Sequence, residues 1–277
     1  MEELFEYEEY SINNEDDINN VDDIINDAIN NSNIIINDTI NGEETKLNNV
    51  LNSENINNVI YLKEKFEING RLKISNFLNQ QFANYLFHYS YSNKNWLLAT
   101  GIESVKYLKP STPLNDKINN KQIKNVNEAF GKDNFSYIFY RSMNSKNMSY
   151  FEFALRQTMN SPVFINFLNE ITGLELVGLN TLFLSKYKSG NFLSPHSDKG
   201  NGKLAFVINI SSGWKPQYGG VLHFMNDERT EIIDSFVPEF NSFVIFNVPH
   251  PHGIPHFVSH VSPNVRFNRY AITGWFA

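Results

Sequence analysis

From Leu179 to Phe276 the chain is a succession of short β-forming runs, and nothing else in it constrains the fold as much. "LNTLFLSKY", "KLAFVINIS", "GGVLHF", "TEIIDSF", "NSFVIFNV", "HFVSHV" and "RYAITGWF" are rich in β-branched and aromatic residues. Gly, Pro and Asn separate them, which is the pattern of antiparallel strands joined by short turns. Helical signals come earlier. "GRLKIS" reads as a strand, followed by Ser75 as an N-cap and by Leu78, Phe82, Leu86 and Tyr89 on one apolar helical face. Ser161-Pro162 reads as a cap followed by a first-turn proline, with a helix stop near Gly173. Between these, "KPSTPLNDKINNKQIKNVNEAFGKDN" is polar and reads as an inserted loop. Helices first and strands after predict an α+β domain, a β-sandwich or jelly roll with supporting N-terminal helices.

Residues 1–60 are a different kind of chain. They hold fifteen acids and one lysine, a net charge of −14, and consist mostly of Asn, Ile, Asp and Glu. Such a segment buries too little apolar surface to offset its ordering entropy, so it is expected to be a disordered acidic tail. Val21, Ile24, Ile25, Ala28 and Ile29 repeat at helical spacing, and drift in an asparagine-rich tract is favoured over a partner-binding helix. Residues 61–277 carry twenty-two basic and fifteen acidic side chains, net +7, and form the expected globular domain. The opening "MEELFEYEEYS" has neither the basic nor the apolar region of a signal peptide. No uncharged apolar run approaches the roughly 18–20 residues that span a bilayer. The expectation is a cytoplasmic or nuclear protein, neither secreted nor membrane-bound.

The chain has no cysteine, so disulfides, thiolate zinc sites and cysteine nucleophiles are excluded. Its seven histidines are unevenly placed. His196 precedes Asp198 by two residues, and His250, His252, His256 and His260 crowd into a short span downstream. Residues i and i+2 of a strand share a face, so His196 and Asp198 would project together. A histidine from another strand would complete two imidazoles and one carboxylate, a donor set that suits non-haem iron(II) with positions left open. His-x-Asp alone is a weak signal. A zinc site or a helical histidine stack is the rival reading, but Gly253 and Pro255 oppose a helix there.

The neighbours of His-x-Asp carry a resemblance. "YKSGNFLSPHSD", "VINISSGWKPQYGGVLHF", "NSFVIFNV", "HFVSHVSP" and "RYAITGWF" resemble the iron(II)/2-oxoglutarate-dependent dioxygenases. Within these the chain is most similar to the prolyl-4-hydroxylase-like branch that includes ribosomal-protein prolyl hydroxylases. The likeness extends over about residues 61–277 and is specific from Tyr187 onward. It implies a double-stranded β-helix with an iron at one mouth, 2-oxoglutarate and O2 as cosubstrates, and ascorbate as an accompanying reductant. His196 and Asp198 match the first two metal ligands. His256 is the favoured third ligand on the spacing of its motif, with His260 the alternative. Arg269 and Thr273 match the residues that hold 2-oxoglutarate, and Tyr187 matches a tyrosine that lies against it. A buried carboxylate is well met by a guanidinium fork. Asn209 departs from the pattern, since many relatives have a tyrosine there that contacts 2-oxoglutarate; an amide can still donate a hydrogen bond.

The resemblance therefore implies hydroxylation of a protein or peptide, at proline in the favoured reading, with release of succinate and CO2. A nucleic-acid demethylase of the same superfamily is disfavoured, because its second arginine would fall at Trp275. A small-molecule hydroxylase and a non-catalytic jelly-roll module complete the alternatives. His250 and His252 are read as loop residues near the mouth and His223 as a strand residue without a role, and sequence leaves the substrate and the oligomeric state open.

Overall fold

The structure, a computed structural model, describes residues 50–52, 58–93, 96–103, 120–142, 149–248 and 253–277. The predicted acidic tail, its helical-spacing stretch, and His250 and His252 lie outside those residues, save for the tail's last few positions. Those positions differ from expectation. Val50 and Leu51 are buried, and Leu51 is bridged to Leu78, so the packed body reaches back before residue 61. All described residues belong to one unit, Asn48–Ala277.

Capping chemistry sets most helix boundaries. Helix α1 (Val59–Asn69) begins where the Asn58 side chain accepts from the Tyr61 N–H and ends at Gly70 in the left-handed region. Strand β1 (Arg71–Ile74) follows, then α2 (Gln80–Ser92). The cap of α2 is Asn79, whose side chain accepts from the N–H groups of Gln81 and Phe82; Ser75, expected to cap it, lies too far upstream. Phe82 and Leu86 are buried on its inner face as the periodicity requires. Strands β2 (Trp96–Glu103) and β3 (Phe135–Ser142) flank α3 (Asn120–Phe130). The segment expected to be an inserted loop thus contains a helix; its Val126 and Ala129 are buried and Ile123 half-buried, while Phe130 is exposed. Helix α4 (Tyr150–Met159) is capped by Ser149. Helix α5 (Pro162–Thr172) starts on the Ser161 cap and stops at Gly173, as read from sequence.

The remaining elements are strands β4 (Leu179–Tyr187), β5 (Phe192–His196), β6 (Leu204–Asn209), β7 (Leu222–Met225), β8 (Ile232–Phe236), β9 (Ser242–Asn247), β10 (His256–Val258) and β11 (Arg269–Phe276). Among the described residues the strand order is β1-β9-β6-β11-β4-β3-β5-β10-β7-β8, with β2 on the outer side of β3, and every pairing is antiparallel. Strand β3 pairs with β4 near its end and with β5 near its middle, so it joins two faces. The larger face is β1-β9-β6-β11-β4 and the smaller is β5-β10-β7-β8, the arrangement of a jelly roll.

Two apolar layers follow from strand alternation. Outward residues of the larger face pack on the helices and on the connection between β1 and α2: Phe243 stacks on Phe77 of that connection with ring centroids 4.1 Å apart, and Phe164 of α5 meets both Phe243 and Phe276. Each such ring contributes about 1.5–3 kcal/mol by leaving water. Inward residues, including Tyr187, Val207, Phe224, Phe246 and Ala271, fill the space between the faces. Gly274 lets β4, β6 and β11 approach, because a Cβ there would collide with the Thr181 carbonyl oxygen and the Phe206 ring. Gly274→Ala is expected to cost about 1–3 kcal/mol as overpacking, read as a lower thermal midpoint.

Candidate functional site

A cavity of about 300 Å³ opens between the two faces, at the small end of ligand-site volumes. His196, Asp198 and His256 line it from the smaller face, and Tyr187, Arg269, Thr273 and Trp275 from the larger. Cross-strand register brings the histidines together: His256 on β10 is the direct partner of His196 at the end of β5. Asp198 lies just beyond β5, in the loop that turns toward β6, yet its carboxylate still returns to the histidines. Asp198 Oδ1 is 3.5 Å from His196 Nε2, and its Oδ2 is 3.5 Å from His256 Nε2. One ligand atom from each residue lies within 4.8 Å of the others, and no fourth such donor joins this group among the described residues.

The orientation of both rings is fixed from behind. His196 Nδ1 is 2.9 Å from the Ser194 carbonyl oxygen, and His256 Nδ1 is 2.8 Å from that of Ile254. Each Nδ1 therefore carries the proton and donates it to a carbonyl, leaving the Nε2 lone pair free to face Asp198. Burial pushes the His196 pKa down, with the neighbouring His256 adding to the effect. Burial alone would raise the Asp198 pKa, but the imidazoles of His256 and His196 beside it hold the carboxyl well below the usual range. The three groups can thus offer two nitrogens and one anionic oxygen to a divalent cation, with further positions open to ligands. Phe135, 5.5 Å from His196 between ring centroids, and Phe246, 4.7 Å from His256, form an apolar wall around them.

The far wall presents the opposite charge. Arg269 starts β11 opposite Tyr187 of β4 and is only 2 % exposed. Its Nη2 donates to Asn209 Oδ1 at 3.1 Å, and its guanidinium carbon lies 5.0 Å from the centre of the Tyr187 ring. Its Nε has no acceptor, and no acid of the described residues forms an ion pair with it. Burial lowers its pKa, and burial pushes the Tyr187 phenol up to about 12. A buried guanidinium with an unsatisfied donor is costly unless an anion completes it. Gly220 makes room for this side chain: a Cβ there would come within 2.9 Å of Arg269 Cδ. Thr273, four residues along on the same face of β11, also lines the cavity.

Asn209 stands differently from its sequence expectation. It does not line the cavity; its amide donates to Ser242 Oγ at 3.1 Å, and its carbonyl oxygen accepts from Arg269. A shorter side chain than tyrosine keeps it behind the guanidinium. His260 stands apart from the ligand group, with its ring stacked on Phe192 at 4.2 Å. Lys203 is exposed and donates to the Glu175 carbonyl, away from the cavity. His223 donates to or accepts from Ser235 Oγ and packs on Phe257, so it too stays out of the site. Sequence reasoning missed Arg141 on β3, a second guanidinium in the cavity wall. Its strand was not recognised, although "FSYIFYRS" is rich in aromatic residues at alternate positions.

Residues 182–277 match the sequence model of the 2OG-Fe(II) oxygenase superfamily. The mouse protein Prolyl 3-hydroxylase OGFOD1 is 27% identical over 150 residues, 52% of this chain. That stretch is 27% of the mouse protein, so the chain spans about a quarter of this curated relative's length. A Pseudomonas putida prolyl-4-hydroxylase superposes with a TM-score of 0.50 at 14% identity, over 79% of this chain and 97% of that one. A Trichoplax adhaerens prolyl hydroxylase, solved in complex with a hypoxia inducible factor oxygen degradation domain peptide fragment, gives 0.53 at 15% identity, over 80% and 90% of the two chains. At such identities these structures establish the fold alone, a jelly roll. Among the described residues no helix is long and apolar enough to cross a membrane.

Proposed function

We propose that the chain, whose residues 182–277 match the sequence model of the 2OG-Fe(II) oxygenase superfamily, is an iron(II)- and 2-oxoglutarate-dependent dioxygenase that hydroxylates a protein or peptide at proline. One observation carries the reading. A histidine–aspartate–histidine donor group and a buried arginine with an unpartnered Nε line the same cavity. The first suits a divalent iron, and the second suits the far carboxylate of a keto diacid.

His196, Asp198 and His256 would hold the metal, their geometry fixed by the carbonyls of Ser194 and Ile254. Arg269 would pair with the distal carboxylate of 2-oxoglutarate, with Thr273 and Tyr187 beside it. Asn209 acts one step back, holding one Nη of the guanidinium so that the rest of the fork faces the cavity. Bound iron and 2-oxoglutarate supply oxygen activation coupled to oxidative decarboxylation, which yields succinate and CO2. The protein's own share is to fix these groups in place and keep water out with Phe135, Phe139, Phe183 and Phe246. The aromatic wall suits a pyrrolidine ring, and the names of the similar proteins support proline as the target.

The test is to incubate the protein with iron(II), 2-oxoglutarate and proline-containing peptides, and to seek products heavier by one oxygen atom. Oxygen found on a base-methyl group of a nucleic acid, or on a free amino acid only, would replace the peptide reading.

A further inference from the structure

Arg141 lies on β3 opposite Ser185 of β4, with its guanidinium carbon 3.7 Å from the centre of the Phe183 ring. It is half-buried and lines the cavity that holds Arg269 and the histidine–aspartate group. No acid of the described residues forms an ion pair with it. Tyr187 follows Ser185 on the same face of β4, so Arg141 sits one step from the Arg269–Tyr187 pair toward the rim at Asn180 and Thr181. Across Phe183 stands Trp275, ring centroids 6.1 Å apart, whose Nε1–H is buried without an acceptor.

Charge bookkeeping separates the two arginines. On the proposed function, a divalent metal, the Asp198 carboxylate, Arg269 and a 2-oxoglutarate dianion sum to zero. Arg141 is then a cation left over in a cavity that the ligands make drier. An uncompensated charge in such a place is unfavourable unless something of opposite sign arrives with it. The substrate is the remaining component.

Resting on the dioxygenase reading, we infer that Arg141 is a specificity residue that receives a carboxylate of the substrate, so the preferred substrate is acidic next to the oxidised residue. A guanidinium over an aromatic ring can present edge N–H groups to a carboxylate as a fork–fork pair. Two sources have this chemistry, an Asp or Glu side chain adjacent to proline within a peptide and the α-carboxylate of a terminal or free proline.

The experiment compares three probes: an internally placed Pro-Glu peptide with both ends blocked, its Pro-Gln counterpart, and free proline. Binding is measured by calorimetry in the presence of manganese(II) and 2-oxoglutarate, and turnover by succinate release with iron(II). The wild-type protein is expected to favour a carboxylate probe by about ten-fold or more, the range of a charge-assisted hydrogen bond. Preference for Pro-Glu over Pro-Gln assigns the side-chain source; preference for free proline assigns the α-carboxylate. Arg141→Gln should remove the preference and leave the Michaelis constant for 2-oxoglutarate within about two-fold. Arg141→Lys, which keeps the charge, should retain part of the preference and guards against a folding defect. Equal binding of the three probes by the wild type would overturn the inference. So would an Arg141→Gln protein that keeps the preference, or one that loses only 2-oxoglutarate. Absence of succinate from the wild type with peptide discrimination intact would instead overturn the dioxygenase reading.

Discussion

His196→Ala is expected to abolish iron-dependent succinate formation while the protein stays folded. The lost nitrogen is one of only three donors in the group, and even residues that merely orient a ligand cost about 10–100-fold in metal affinity when removed. Removing the ligand itself should exceed that. The His196 side chain lies at the end of β5 against Phe135, away from the Phe-rich layer between helices and larger face, so the fold has independent support. The measurement is metal content after dialysis, with circular dichroism for the fold. The paired variants His256→Ala and His260→Ala decide the third ligand. His256 faces Asp198 at 3.5 Å, whereas His260 is stacked on Phe192. Loss of metal in the first and retention in the second is the expected result; the reverse would reassign the ligand.

The second large effect belongs to Arg269. Arg269→Lys keeps the positive charge but loses the fork, and its ammonium would have to leave Asn209 to reach a ligand. A charge-assisted hydrogen bond contributes about 1.5–3 kcal/mol, so the Michaelis constant for 2-oxoglutarate should rise by about ten- to a hundred-fold. Asn209→Ala should cause a smaller rise of about five-fold, since it removes one neutral acceptor of about 1 kcal/mol from behind the guanidinium. Metal binding should be untouched in both. Steady-state kinetics across 2-oxoglutarate concentrations measures the effect, and an unchanged constant in Arg269→Lys would move the anion site elsewhere.

Most of the strands that build the cavity were legible, β3 excepted, because each is a short apolar run bounded by turn residues. The order His196, Asp198, His256 and Arg269 along the sequence carried the resemblance. Helix α5 was legible because Ser161, Pro162 and Gly173 each act locally. Other features depended on contacts that periodicity does not encode. Helix α3 lies in a polar segment whose few buried residues, such as Val126, find their partners only across the fold, in Ile138 and Phe192. Strands β2 and β3 went unread, and Arg141 with them, because β3 is buried along much of its length and gives no clean alternation. The position of Asn209 behind Arg269 required the register of β6 against β11, where Asn209 pairs with Ala271. Its amide then reaches Ser242 and the guanidinium. Sequence showed that tyrosine was missing but not what asparagine touches instead.

The most direct test couples the two halves of the cavity in one assay. Iron-loaded protein is mixed with 2-oxoglutarate and a proline-containing peptide, and succinate and oxygenated peptide are quantified together by mass spectrometry. The expected result is one succinate per oxygen atom placed on the peptide, both lost when iron is omitted and both lost in His196→Ala. Oxygenated peptide without succinate, or a folded, iron-loaded protein that leaves 2-oxoglutarate intact, would contradict it.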